Sequence, residues 1–155
     1  MSRAYPVDAV NGVLALLNTN LATMITTINT ERSYTGSEII PAPTWINTKF
    51  KMNQYPEIIV GTEGSSEYIA NESRPAEWIT EIFNIFVGYR IKGDNAYMDK
   101  WMYGYKEAIE RVVNNQFISG ITNILVTRSV YTDSSQAVDN DTTRVGAVYF
   151  RVQIN

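Results

Sequence analysis

Four short stretches carry residue types at spacings that chemistry uses. Gly61-Thr62-Glu63-Gly64-Ser65-Ser66 has the glycines of a phosphate cradle, but no lysine followed by Ser or Thr closes it, and a phosphate loop needs that pair to reach the charge. It reads as a turn. Asp139-Asn140-Asp141 gathers oxygen ligands suited to a hard cation, without the glycine and terminal glutamate of an EF-hand loop. It reads as a solvated connection. Glu107 and Glu110 stand one helical turn apart, as paired carboxylates for acid–base work would, yet Lys106 and Arg111 flank them, the pattern of a mixed-charge exposed helix face. Tyr97, Trp101, Tyr103 and Tyr105 could stack on bases, but only Lys100 and Lys106 accompany them, and a single-strand groove pairs aromatics with a basic track. These aromatics read as core or subunit-contact residues.

The rest of the composition narrows the chemistry further. The chain has no cysteine and no histidine, which removes disulfides, thiolate nucleophiles, Cys/His zinc sites and the usual neutral-pH general base. Thirteen Lys and Arg against 16 Asp and Glu give a net charge of −3, the wrong sign for a dominant phosphate-binding footprint. No catalytic, cofactor or metal residues are therefore expected, and the protein does not read as an enzyme. Met1 to Pro6 lacks a secretory apolar stretch, so no export is implied, and no run of about 18 apolar residues suggests a membrane span.

The elements around these stretches are set by periodicity. Val7, Val10, Leu14, Leu17, Leu21, Ile25 and Ile28 alternate steps of three and four, predicting a helix from Val7 to about Thr30 that stops at Ser33 to Gly36. Residues 31–56 then hold Gly36, Pro41, Pro43 and Pro56 without a sustained pattern. Ile39, Ile40, Trp45, Ile46 and Phe50 make this long excursion too apolar for a solvated linker, so it should dock on something. Pro56 to Gly61 predicts a short strand, and Trp78 to Ile91 a longer one. One face of the longer strand carries Ile79, Phe83, Ile85, Val87, Tyr89 and Ile91, interrupted by Glu81. The other carries Trp78, Ile82 and Phe86, so both faces should be partly buried.

Gly93-Asp94-Asn95 supplies a turn and an N-cap for a second helix with Tyr97, Trp101, Tyr105, Ala108, Ile109 and Val112 on one stripe, ending at Asn114 and Asn115. Strands follow at Ile121 to Tyr131, with Ile124, Val126 and Val130 aligned, and at Val145 to Ile154, with Val148, Phe150, Val152 and Ile154 aligned. The order predicts one α+β domain over residues 1–155: a two-layer fold with a mixed, mostly antiparallel sheet of about four strands packed against two helices.

The N-terminal helix, the wandering link, Tyr55-Pro56-Glu57-Ile58-Ile59-Val60, and then strand, helix and two terminal strands together resemble the tail terminator, or tail completion, proteins of long-tailed bacteriophages over nearly the whole chain. The resemblance implies a cofactor-free structural protein of the virion, located at the head-proximal end of the tail and assembled in the host cytoplasm. It would form a hexameric homo-oligomeric ring that caps the tail tube and joins the head-side connector or neck, with a sheath-end contact if the tail is contractile. DNA would pass through without stable binding.

Within that frame, Ile39, Ile40, Trp45, Ile46, Phe50, Trp78, Ile82 and Phe86 are the expected subunit or tail interface, with Trp45 as anchor. Glu63, Glu67, Glu72, Asp133, Asp139 and Asp141 are the expected lumen-facing acids. The span from Glu57 to Glu81 holds six glutamates against Arg74 alone, a charge of −5, which would repel phosphates from a ring opening. Two readings stay open beside this one: another neck or completion component of the same fold, and a small-ligand-binding regulatory module.

Overall fold

The computed structural model describes residues 3–51, 53–69, 79–131 and 141–154, excluding the side chains of Asp141 and Thr142. Two helices and five strands are described: α1 (Pro6–Glu31), β1 (Trp45–Asn47), β2 (Glu57–Ile69), β3 (Thr80–Asp94), α2 (Asn95–Val113), β4 (Asn123–Tyr131) and β5 (Asp141–Ile154). The strands form one sheet in the order β1-β2-β3-β5-β4. Only the β1–β2 pair is parallel. The α+β class and the two-layer arrangement follow, with five strands where about four were expected.

Pro6 opens α1 at its first position, where it has no N–H to satisfy, and Asp8 reaches back to accept the Tyr5 amide at 2.7 Å, which gives the N-cap donor a partner. At the other end Ser33 takes a left-handed φ of 55°. Its amide bonds Thr30 O at 3.1 Å, and the Tyr34 amide bonds Asn29 O at 3.0 Å, a Schellman closure with serine in the usual glycine place. The buried stripe is Ala9, Val10, Val13, Leu17, Leu21, Ile25 and Ile28. Val7 and Leu14, expected inside, are exposed and half-buried respectively, and Ala9 and Val13 are buried in the first two turns instead. By length and composition α1 could cross a bilayer, but its stripe is packed into the core.

Helix α2 starts where expected, with the Asp94 carboxylate accepting the Ala96 amide at 2.9 Å. In its first turns Met98 and Met102 are buried, whereas Tyr97 and Trp101 flank the core.

The core face of β3 is the expected one: Phe83, Ile85, Val87, Tyr89 and Ile91 are buried beneath the helices, and β5 adds Val148, Phe150, Val152 and Ile154. Glu81 interrupts this face and is satisfied there by Ser66 Oγ at 2.7 Å, with Arg3 at 3.6 Å.

Two expectations about strand ends are corrected. Gly61 to Ser66 is not a turn, since β2 continues through it to Ile69. Its register against β3 slips from Thr62 opposite Ile85 to Ser66 opposite Phe83, and Gly64, at φ 80°, absorbs the two extra residues. In β4, Thr127 is an extra residue between Val126 opposite Phe150 and Arg128 opposite Tyr149. That bulge reverses the alternation, so Val130, expected in line with Ile124 and Val126, points outward and is exposed.

Candidate interaction surface

Residues 32–51 and 53–56 fold back onto their own domain. The Asn29 side chain takes the Ile40 amide at 2.8 Å and donates to the Ile40 carbonyl at 3.1 Å. Ile40, 2% exposed, seats against Gly104 of α2, where a Cβ would lie 2.2 Å from its Cδ1. The Tyr105 hydroxyl donates to Pro41 O at 2.5 Å, and the Trp101 indole N–H to Glu38 O at 3.2 Å. Burial pushes the Tyr105 phenol above its ordinary range. The neighbouring Tyr89 is also raised, by burial first and then by Glu110 and Tyr131, because neither ring has water to stabilise a phenolate. The two stack at 6.2 Å between centroids, as neutral core groups.

Beyond Pro43 the chain adds β1 beside β2, then crosses to the sheet face that carries no helix. Trp45 is half-buried, its indole N–H bonded to Lys49 O at 2.7 Å and its ring under Lys51 at 4.7 Å. Ile46 packs against the core. Phe50 stays 70% exposed beneath the Arg90 guanidinium, which also covers Tyr55. Under this cover Glu57 is fully buried, 3.0 Å from Arg90 and accepting the Lys51 amide at 2.9 Å. A charge buried this deeply persists only when paired and hydrogen-bonded.

The expected interface set is therefore divided by the fold. Ile40 and Ile82 are buried within the chain, Trp45, Ile46 and Phe86 are half-covered, and Ile39 and Phe50 are exposed. Phe86 lies over Gly61 and leans on Tyr149 at 6.4 Å. Trp78 lies outside the described residues. Of the expected acids, Glu63 is 3.4 Å from Arg128 and accepts from Asn84 at 3.1 Å, and Glu67 is exposed. Asp141 stands opposite Asp94 in the sheet, while Glu72, Asp133 and Asp139 lie outside the described residues. Glu107 ties the helices together through Arg32 at 3.5 Å and Arg111 at 2.8 Å, and Arg111 also reaches Glu31 at 3.0 Å, the mixed-charge face expected of it.

Two residues that sequence reasoning passed over stand out. Arg144 is buried under the first turn of α2, held by Asp99 and by Asn95 at 3.1 Å. Phe117, in the connection between α2 and β4, is 87% exposed. The signal for it was an aromatic set among Asn114, Asn115, Gln116 and Ser119. Among the described residues no group of three acidic, His or Cys side chains converges to hold a metal.

No protein-family model matches the chain, and no curated protein matches its sequence. Among solved structures, a chain from the virion of a native gene transfer agent (GTA) particle is similar in fold, with a TM-score of 0.58 and 10% sequence identity, over 97% of this chain and 98% of that one.

Proposed function

We propose that this chain is a structural subunit of a phage-like virion and acts there as a tail terminator. In this reading it forms a ring, hexameric by the family resemblance, that closes the tail tube and meets the head-side connector, with a sheath-end contact in a contractile tail. The observation that carries the reading is the likeness of fold to a virion chain along almost the full length of both proteins. It agrees with the phage resemblance of the sequence, which rests on different information. The distribution of surface side chains supports the assembly part. Phe50, Phe117, Leu125, Val130 and Val145 are exposed apolar groups on the sheet side and the loop ends, and rings form when one such patch meets a different patch on the next copy.

The acidic lumen forms part of the proposal in reduced form. Glu57 and Glu81 are neutralised inside the fold and Glu63 is shared with Arg128, so exposed Glu67, with Glu63, is the described contribution. Replacing Glu63, Glu67 and Glu72 with lysine should leave rings intact and slow DNA release, with relief at high salt. Unchanged release would remove the lumen role alone. The ring itself is tested by native mass spectrometry of the purified protein and by labelling its position in particles. A strictly monomeric protein would refute the ring, and absence from particles would refute the virion role.

A further inference from the structure

The helix-free face of the sheet contains a hollow of about 220 Å³. Gly88 forms its floor, where an added Cβ would meet no atom closer than 3.7 Å. Phe50, Ile59, Phe86 and Val145 form its walls, and Arg90 closes one end. An apolar cavity of about 150 Å³ already accepts a benzene ring, so this hollow has room for a phenyl side chain. Arg90, already placed over the Phe50 and Tyr55 rings at 5.3 and 5.2 Å, would offer a further aromatic the same cation–π contact.

The chain also presents a phenyl group that fills nothing. Phe117 is 87% exposed, yet the loop beneath it is fastened on both sides. The Asn114 side chain accepts the Val126 amide at 2.7 Å, and the Asn115 amide bonds Ile124 O at 2.8 Å. Ile118 is buried against Gly12, where a Cβ would come within 2.5 Å of it. Gly120, at φ 81°, packs on Ala4, where a Cβ would come within 2.8 Å. A loop pinned this way holds its aromatic out at little further cost in conformational entropy on binding.

We infer that Phe117 of one copy of this chain inserts into the Gly88 hollow of the next. Knob and hollow occupy different surfaces, Phe117 at the end of α2 and the hollow on the opposite sheet face, so the contact is head-to-tail, the kind that closes into rings. The inference rests on the self-assembly part of the proposed function and supplies its contact.

The test uses two variants with complementary defects. Phe117→Asp keeps the hollow and loses the knob; Gly88→Val keeps the knob and fills the hollow. Near-UV circular dichroism and melting should match wild type for both, since Phe117 makes little core contact and Gly88 has open space above it. If Gly88→Val proves unstable, Val145→Glu on the rim replaces it. Sedimentation velocity and native mass spectrometry should find that each variant alone needs at least about tenfold more protein to assemble. An equimolar mixture should give a 1:1 heterodimer and nothing larger, because only one intact knob-and-hollow pair remains. Assembly of Phe117→Asp at the wild-type concentration, or a mixture no more associated than its components, overturns the inference while leaving the ring standing. A wild-type protein that is monomeric throughout overturns both.

Discussion

Asn29 is the side chain on which the docking of the long excursion depends most directly. Its amide holds both the N–H and the C=O of Ile40, at 2.8 and 3.1 Å, at a point where Ile40 itself is buried against α2. In Asn29→Ala both backbone groups lose their partner. Each lost hydrogen bond removes about 1 kcal/mol, and a stranded buried group costs more, but this site is only partly buried and water recovers part of the loss. The expected destabilisation is about 2–3 kcal/mol. For a chain of this size that corresponds to a fall in melting temperature of about 4–12 °C. Urea unfolding measures the energy, and limited proteolysis between residues 36 and 44 reports whether the segment has come loose. Tyr105→Phe removes a second fastening of the same segment, at Pro41 O. The double variant should cost less than the sum of the singles, because a segment already released cannot be released again. Asn29→Ala within about 0.5 kcal/mol of wild type, with unchanged proteolysis, would refute the reasoning.

Leu17→Asp sets an unpaired carboxylate at a fully buried position of α1 and should abolish soluble folding, since the cost of several kcal/mol rivals the stability of a domain; soluble protein with wild-type melting would contradict this. The phenols of Tyr89 and Tyr105 are raised by burial, so above pH 10 the unfolded chain releases their protons while the folded one keeps them. Stability should be intact below pH 10 and fall above it, by up to about 1.4 kcal/mol per pH unit for each tyrosine. Tyr105→Phe should flatten that slope in urea titrations, and an unchanged slope would count against it. Asp99→Ala removes the carboxylate paired with the buried Arg144 guanidinium and should destabilise more than Arg144→Met, which removes the buried charge and leaves only the partly solvated Asp99 carboxylate behind; the reverse order in thermal melts would count against this.

Much of this architecture was legible from periodicity alone. The Leu17-Leu21-Ile25-Ile28 stripe, the odd-numbered face of β3 and the even-numbered face of β5 are each long enough for one period to dominate, and each is buried as read. Failures came where a single residue changes the phase. Thr127 reverses β4, and Gly64 carries β2 through what reads as a turn. Strand β1 is three residues long among prolines and exists through pairing with β2, which no local pattern encodes. The pairs of Arg144 with Asp99 and of Arg90 with Glu57 join residues 45 and 33 positions apart, so neither charge reads locally as buried. For the interface, apolar character identified residues that need cover, but not whose cover. Ile40 found it inside the chain, whereas Phe50 did not.

The extra residue in β4 also governs how crowded copies of this chain behave. Among the described strands β4 is at the edge of the sheet, with Leu125, Val130 and Tyr131 exposed along it, the kind of strand that recruits another in register and starts a fibre. At Thr127 the spacing of free amides and carbonyls is broken halfway along, and the hydroxyl turns inward to Tyr149 O at 3.2 Å. Arg128 follows at once, exposed and positively charged. An incoming strand can match at most about half of the nine residues before its register fails. Association through side chains remains possible, while backbone stacking stops after one short step. Deleting Thr127 would leave every core contact of β4 in phase and turn a guarded border into a continuous template.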